Sequence, residues 1–420
     1  MFTQDVGVVV REEYKRRAAL AAADDMDATS MHERVTPKQQ GAGTAAGRIV
    51  PLDRARTFIT LSVVLYHSAI NYTYFGQGGD RMHWLGFDLV ALFNDSYFMS
   101  CMFFISGLFV PASMARRGAP DFLWRRVLRL GIPYVVSIFA IMPVAYYRYY
   151  VAEDTFTAVW WRMISEGPWP SGSAWFLGVL LMFDMVATLV GAWAPQAIGA
   201  LGRWARTLLR SPVTGFLIFL VIANAAYLPP HLGFGDGLWF MPGHFPLPLQ
   251  ASRALLYPTF FVAGLAIGAA DLRTGPFAAD GALVQRWALW FALSYGCYAM
   301  ILFLAYAHHN WMADFDSPPL WWRAAYGSAV ASFCAAMAFG VPTFFLRWTN
   351  APLALMDRMQ PSAYGIYLLH FLPLLWLQYL VFDPAWPAAV KFAIVLVGTL
   401  SVSWLAAELL RRIPLVRRII

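Results

Sequence analysis

Long apolar runs recur along the chain from residue 57 to residue 410, separated by short polar or basic segments. A helix that crosses a bilayer needs about 20 predominantly apolar residues. Ten runs meet this requirement, so the pattern predicts an all-α polytopic membrane protein with about ten transmembrane helices. The predicted spans are residues 57–75, 88–114, 131–150, 174–194, 212–229, 252–270, 287–307, 322–346, 361–382 and 388–410.

Composition excludes an ordinary soluble domain. The chain is 59% hydrophobic and only 13% charged, whereas soluble domains carry about 25% charged residues. Its three cysteines all lie inside apolar runs, which predicts neither a disulfide framework nor a metal site. Residues 1–50 are polar, show no secretory signal, and are predicted to form a disordered cytoplasmic tail. A transmembrane domain of residues 51–412 and a basic cytoplasmic tail of residues 413–420 complete the predicted organisation.

The distribution of basic residues predicts the orientation of the spans. With ten spans and a cytoplasmic N-terminus, most of the 31 Lys and Arg residues fall on the cytoplasmic side. Adding or removing one span would move every later loop to the other side, so both termini are predicted to be cytoplasmic. The net charge of +7 then reflects topology and contact with membrane lipid, and no nucleic-acid partner is expected. The exceptions on the other side are Arg81, Arg148, Arg162, Arg253, Arg323 and Lys391.

Two ionisable residues, Arg56 and His67, flank or lie within the first apolar run, eleven positions apart. At about 100° and 1.5 Å per residue, they share a helical face and lie about 16 Å apart along the axis. Arg56 would mark the cytoplasmic edge of the membrane, and His67 would lie near its middle. An ionisable side chain at that depth indicates a functional site. The alternative is a histidine that only hydrogen-bonds a neighbouring helix.

Only one other histidine, His370, lies well inside a predicted span. It follows Arg358 by twelve residues, about 18 Å of helical rise, which predicts nearly the same membrane depth as His67. Two buried imidazoles at one level could share a cavity, where a neutral histidine can take a proton from a sugar hydroxyl. Two unrelated packing histidines are the alternative.

Arginines also cluster in the first predicted inner loop, at Arg125, Arg126 and Arg129. Arg126 and Arg129 lie one helical turn apart and would form, with Arg56, a cationic patch at the cytoplasmic mouth. Guanidinium groups bind phosphates through paired hydrogen bonds, so an anionic nucleotide carrier such as coenzyme A is a candidate ligand. Arginines flank membrane spans for topological reasons as well, which is the competing interpretation.

Three further residues give weaker signals. Ser106 and the glycine after it are typical of close helix packing, although a serine beside a base can also act as a nucleophile. Glu408 is expected to pair with Arg411 or Arg412, one turn further on. Trp175 belongs to a set of aromatic residues in and near the outer loops, which suits a carbohydrate ligand as well as an ordinary interfacial belt.

Together these residues resemble the integral-membrane acyltransferase-3 family, and within it the glucan biosynthesis succinyltransferases of the bacterial envelope. The resemblance runs from Leu52 to the last predicted helix. It is carried by Arg56-x10-His67, Phe103-x-Ile105-Ser106-Gly107, Arg126-x-x-Arg129 closed by Pro133, Trp175-Phe-Leu177, Ser362-Ala-Tyr364-Gly-Ile-Tyr367-Leu-Leu-His370, and Glu408 before Arg411-Arg412-Ile-Pro414.

The resemblance implies a ten-helix core in the bacterial cytoplasmic (inner) membrane. Such a core moves an acyl group, succinyl or acetyl, from cytoplasmic acyl-CoA to an extracytoplasmic carbohydrate. It implies that Arg56 and His67 are essential and that the Arg126/Arg129 loop serves the donor, with His370 or Tyr364 expected to assist or orient His67. Acyl-CoA is then a substrate, and no bound cofactor or metal is expected.

One departure from the family concerns the group that orients the imidazole. Many members carry Asp where this chain has Ser100, so Asp88 or Asp95 is expected to substitute. A succinyl donor would also need a cation for its second carboxylate, for which Arg148 and Arg253 are candidates. The oligomeric state is not predicted by the sequence.

Two other functional classes are compatible with parts of the sequence. A secondary transporter that exports a glycan or an acylated product would also contain buried ionisable residues. Transporters often have matched halves with interrupted helices, and no such pairing is evident here. A non-enzymatic sensor would need an output domain, and the short inner loops do not provide one.

Overall fold

The first helix, α1 (Val50–Ala69), begins before its apolar run because the protein itself buries part of its polar start. Arg54 is only 3% exposed there. The computed structural model describes residues 49–76, 80–167, 169–240, 248–312 and 318–420. The predicted N-terminal tail, except residues 49 and 50, lies outside the described residues. Val50–Ile420 form one compact unit.

Helices make up almost all of the regular structure that follows. The α-helices are α2 (Leu85–Leu108), α3 (Val110–Arg117), α4 (Ala119–Arg126), α5 (Ile132–Val136), α6 (Met142–Tyr146), α7 (Phe156–Ser165), α8 (Trp175–Trp193), α9 (Pro195–Leu208), α10 (Pro212–Phe234), α11 (Leu256–Ala269), α12 (Trp287–Trp311), α13 (Leu320–Trp348), α14 (Ala354–Met359), α15 (Ala363–Leu369), α16 (Phe371–Leu380), α17 (Ala388–Leu410) and α18 (Pro414–Arg417). Turns of π-helix cover Val127–Gly131 and Ser137–Ile141. Two short strands, β1 (Trp239–Phe240) and β2 (Leu249–Gln250), pair in an antiparallel sheet.

The number of long apolar helices agrees with a polytopic membrane protein. Within the described ranges, eight helices are long and apolar enough to cross a membrane, and a bent pair counts as a ninth. Helix α1, the first predicted span, is 20 residues long but carries three charged residues near its start and is not among them. The prediction of an all-α polytopic membrane protein is confirmed.

A proline shapes the third span, the helical run Ala119–Tyr149. Because Pro133 has no backbone N–H, the carbonyl of Arg129, four residues earlier, loses its usual helical donor. The hydroxyl of Tyr364 donates to that carbonyl instead. A π-helical segment that contains Arg129 is thereby fixed to a distant helix.

The bent pair of helices breaks at a candidate site residue. Ala354–Leu369 and Phe371–Leu380 meet at an angle of 64°, and His370 occupies the break. Pro373 explains the bend, since it cannot donate to the carbonyl of Leu369 and its ring crowds that carbonyl. The backbone therefore changes direction where the imidazole of His370 leaves it.

Close contact between α2 and α11 depends on glycine. A Cβ atom added to Gly107 would overlap the carbonyl oxygen of Phe261, and one added to Gly264 would overlap that of Phe104. Ser106, beside Gly107, is 5% exposed at this crossing. The structure therefore assigns the Ser106–Gly107 pair to helix packing, one of the two interpretations that the sequence left open.

Candidate active site

The two histidines that the sequence predicts at one depth are in contact. Nε2 of His370 lies 3.3 Å from Nδ1 of His67. His370 is fully buried, at 0% exposure, while His67 is half-buried. We call His67 and His370 the histidine pair.

Neighbouring carbonyl groups indicate which nitrogens of the histidine pair carry protons. Nδ1 of His370 lies 2.6 Å from the carbonyl oxygen of Tyr367. Because a carbonyl only accepts, this Nδ1 carries the proton and Nε2 of the neutral ring is an acceptor. Nδ1 of His67 lies 3.0 Å from the carbonyl oxygen of Val63 and faces that acceptor, so it too carries the proton. Nε2 of His67 is therefore the basic nitrogen of the pair.

His67 lines a cavity with a volume of about 790 Å³. Its polar lining includes Arg162, Glu166 and Ser173. Aromatic rings supply much of the remaining surface, which gives the apolar flat faces that pack against the CH groups of a sugar. These rings belong to Tyr146, Tyr149, Tyr150, Trp169, Trp175, Trp239 and Phe371. We call this space the aromatic cavity.

The segment after α10 forms one wall of the aromatic cavity through Trp239. Asp236 anchors this wall, since its Oδ1 accepts from the hydroxyl of Tyr227 at 2.9 Å and its Oδ2 lies 3.1 Å from Nδ1 of His231. Burial raises the pKa of the Asp236 carboxyl, but the interactions with His231 outweigh it and lower the pKa to about 2. The Asp236 carboxylate thus ties the wall to α10.

At the other end of α1, three predicted arginines interact in one region. Arg56 lies near enough to Arg126 and Arg129 for their positive charges to repel its own. The guanidinium of Arg56 lies 4.2 Å from the ring centre of Phe109, and its nearest carboxylate contact in the described structure is Asp53 at 3.9 Å. We call Arg56, Arg126 and Arg129 the arginine cluster. Three neighbouring cations with few direct partners provide an attractive site for an anionic ligand.

Tyr364 and Trp175 each connect to one of these two regions. Tyr364 donates to the carbonyl of Arg129 and so supports the arginine cluster. Trp175 lines the aromatic cavity and stacks on Tyr257, with ring centres 5.8 Å apart. The contact of Tyr364 with Arg129 favours a role at the arginine cluster and not the predicted role beside His67.

Other predicted residues lie apart from both regions. Arg125 pairs with Asp121 at 2.9 Å on an exposed surface, where its side chain is 56% exposed. Glu408 lies 3.5 Å from Arg411, as expected, and also accepts from Ser362. These contacts favour surface and packing roles.

Two of the groups expected from the sequence to orient His67, Asp88 and Asp95, interact with other partners. Asp88 accepts from the backbone N–H of Tyr74 at 2.9 Å, and Asp95 pairs with Arg253 at 2.7 Å. His370, which the sequence also suggested, is the residue that contacts the ring of His67. The expectation for Asp88 and Asp95 was wrong because the sequence alone does not reveal which distant helix supplies the partner.

Sequence reasoning missed one charged residue, Asp184 on α8. Its carboxylate is 0% exposed and lies 3.1 Å from Nε of Arg126. A lone acidic residue inside an otherwise apolar run was the available signal. No group of three or more His, Cys, Asp or Glu side chains within the described part of the chain could hold a metal ion.

The fold and these two regions define a multi-pass membrane protein in which α1 contributes His67 to the histidine pair and Arg56 to the arginine cluster. The family model described as an acyltransferase domain matches residues 49–408. The chain therefore belongs to the acyltransferase-3 family and is a membrane enzyme that transfers acyl groups. No curated protein and no solved structure matches the chain.

Proposed function

We propose that this enzyme takes an acyl group from cytoplasmic acyl-CoA and transfers it to a hydroxyl of an extracytoplasmic carbohydrate, such as periplasmic glucan. The observation that carries the proposal is His67, whose ring lines the aromatic cavity and whose Nδ1 is held by Val63 and His370. The proposed setting is the bacterial inner membrane. Both termini and the arginine cluster would face the cytoplasm.

The arginine cluster is the proposed donor site. Guanidinium groups bind phosphates well, and coenzyme A carries its phosphates at the end opposite its thiol. Arg56 and His67 lie about 16 Å apart along α1, from eleven residues at about 1.5 Å each. A donor that holds its phosphates at Arg56 needs a long, narrow arm to bring its thioester to His67, and acyl-CoA has such an arm.

The proposed reaction transfers one proton through His67. Nε2 of His67 takes the proton from the acceptor hydroxyl while the hydroxyl oxygen attacks the thioester carbonyl. The tetrahedral intermediate then collapses with cleavage of the carbon–sulfur bond. The leaving thiolate takes the proton from Nε2, which gives an ester, free CoA thiol and neutral His67.

His370 is proposed to hold the imidazole of His67 in this cycle. Its Nε2 accepts from Nδ1 of His67, and its own Nδ1 is committed to Tyr367. The positive charge that forms on His67 is then shared with a second imidazole. This arrangement replaces the carboxylate that orients the base in many nucleophilic sites.

The aromatic cavity is the proposed acceptor site. Sugar rings present CH faces that pack on aromatic side chains, and hydroxyl groups that hydrogen-bond polar ones. Trp169, Trp175 and Trp239 offer the first kind of contact, and Arg162 and Glu166 offer the second. A volume of about 790 Å³ is within the usual range for small-molecule sites.

Transfer by purified protein tests the proposal. The protein is reconstituted in lipid nanodiscs with acetyl-CoA or succinyl-CoA and a β-glucan oligosaccharide, and ester formation is followed by mass spectrometry alongside release of free CoA thiol. We expect one ester per thiol, and a loss of about 10²–10⁴-fold in His67→Ala.

His83→Ala provides the matched control, because His83 is an exposed histidine that stacks on Tyr74 away from the histidine pair. It should transfer acyl groups at the wild-type rate. Wild-type activity in His67→Ala contradicts the assignment of the base. Absence of thiol release with both donors and the oligosaccharide contradicts the assigned substrates.

A further inference from the structure

The arginine cluster contains a buried carboxylate that the proposed transfer does not use. Asp184 lies on α8 with its side chain 0% exposed, and its Oδ2 is 3.1 Å from Nε of Arg126. Its negative charge also attracts the positive charge of Arg56. A carboxylate is costly to bury in a membrane protein, so its position needs a reason.

The contact between Asp184 and Arg126 is loose. Neither carboxylate oxygen of Asp184 accepts a hydrogen bond in the part of the chain that the structure describes. The hydroxyl of Thr188 donates to the backbone carbonyl of Asp184 and not to its carboxylate. Arg126 itself rests on the ring of Phe122, with 5.1 Å to the ring centre.

A second buried pair shows what a tight contact looks like in this protein. Lys391 and Asp80 are both almost fully buried, and Nζ of Lys391 donates to both carboxylate oxygens, at 2.9 and 2.7 Å. Nζ also donates to the carbonyl of Phe382. Both carboxylate oxygens of Asp80 thus accept a hydrogen bond. In the pair of Asp184 and Arg126, the carboxylate keeps unused hydrogen-bonding capacity among the described residues.

We propose that Asp184 is an internal counter-ion that competes with the phosphates of the donor for the arginine cluster. Without a donor, the carboxylate holds Arg126 and offsets the charge of Arg56. When phosphate binds, Arg126 donates some of its hydrogen bonds to the ligand. Asp184 stays nearby, and its negative charge repels the bound phosphate. Asp184 thereby weakens the binding of CoA and speeds its release after transfer. This inference rests on the proposed use of acyl-CoA.

The competition explains why a loose ion pair is useful. A carboxylate with two good hydrogen bonds to Arg126 would resist exchange with phosphate, and a cluster with no internal carboxylate would retain its product. Asp184 acts through Arg126 and Arg56, so it is a positioning residue. Its effect should appear in ligand affinity and release, and its sign distinguishes it from a purely structural role.

The test is the affinity of free CoA for the full-length protein in nanodiscs, measured by isothermal titration calorimetry. Asp184→Asn removes the charge and nearly preserves the shape. We expect CoA to bind about tenfold more tightly to this variant, because one nearby like charge is removed. The KM for acyl-CoA should fall as well, and kcat should fall because CoA leaves more slowly. Structural damage at the site would weaken binding.

Asp121→Asn is the matched control, since it removes a carboxylate from the neighbouring Arg125 on the exposed surface. It should leave the Kd for CoA within about twofold of wild type. Asp184→Ser removes the same charge with a smaller side chain and is used if Asp184→Asn does not fold. Unchanged or weaker CoA binding by a folded variant without the Asp184 charge overturns the inference. If the wild type binds no CoA, the proposed donor is wrong, and that result is distinct from an unchanged Kd.

Discussion

Two neighbouring regions at the start of α1 treat their arginines in opposite ways. Arg54 is 3% exposed, and its Nε and one terminal nitrogen each donate to Asp357 at 2.6 Å. It also donates to the carbonyls of Thr349 and Ala351. Arg56, two positions later, has a half-buried side chain, a carboxylate at 3.9 Å and an aromatic ring beneath it.

The difference shows how a structural arginine can be separated from one that is available for a ligand. The guanidinium of Arg54 has its hydrogen bonds directed at protein groups, so little capacity remains for another molecule. Among the residues that the structure describes, Arg56 makes only one long carboxylate contact and one ring contact, which leaves donors for a ligand. Sequence position does not distinguish the two, because both lie in the same short polar stretch before the apolar run.

The largest effect on stability is expected for Arg54→Ala. Loss of the cation leaves the part-buried Asp357 and two carbonyls without their donor, and losing charge-assisted hydrogen bonds costs about 2–3 kcal/mol. Unfolding of the purified protein by SDS titration measures this change. Arg125→Ala, which breaks the exposed pair with Asp121, should cost less than about 1 kcal/mol. Equal losses in the two variants would remove the distinction between the arginines.

Arg56→Ala is expected to keep its fold and lose activity. Its unfolding should stay within about 1 kcal/mol of wild type, because the side chain makes few bonds to the protein. Acyl transfer should fall about hundredfold, the effect of losing a charge-assisted contact to a donor phosphate. Arg56→Lys should recover only part of this loss, since lysine lacks the paired donors. A wild-type KM for acyl-CoA in Arg56→Ala would show that the donor binds elsewhere.

His370→Ala tests the same distinction in the histidine pair. Both ring nitrogens of His370 contact protein groups, namely the carbonyl of Tyr367 and the ring of His67. We expect kcat to fall about tenfold or more, with the Kd for CoA unchanged, since His370 orients the base and does not contact the arginine cluster. Gln378→Leu is the control, because Gln378 bonds the backbone carbonyl of His67 at 3.1 Å and not its ring. A similar fall in kcat for both variants would indicate general disturbance of α1.

The smallest effect is expected for Tyr364→Phe. This change removes only the hydroxyl that donates to the carbonyl of Arg129. One lost hydrogen bond corresponds to about 1 kcal/mol, so the KM for acyl-CoA should rise about fivefold with kcat unchanged. A fall in kcat with an unchanged KM would instead link Tyr364 to His67, as the sequence suggested.

Much of the fold and part of the site follow from sequence because they depend on local periodicity. Apolar runs of bilayer length give the helices, and helical rise places His67 and His370 at one level. The arginine cluster follows from spacing along two segments. Each of these predictions uses distances along one continuous stretch of chain at a time, and sequence spacing gives such distances directly.

The features that sequence did not reveal depend on contacts between distant segments. Helix α1 begins early because Asp357, about 300 positions away, neutralises Arg54. The sequence left His370, Tyr364 and two aspartates as candidates to orient His67, and only the contact between distant helices favours His370 among them. The interaction of Asp184 with Arg126 likewise depends on two separate segments. Neighbouring helices determine these roles, and their arrangement is set by packing across the whole molecule.

The glycine contact between α2 and α11 has a consequence for how substrates enter. Backbone atoms of the two helices touch at Gly107 and Gly264, so neither helix can slide or rotate past the other without a collision. Helices α2 and α11 therefore form a rigid pair within the molecule. Any widening that admits a donor must therefore come from other helices of the molecule. The donor would then enter beside this rigid pair and not between its two members.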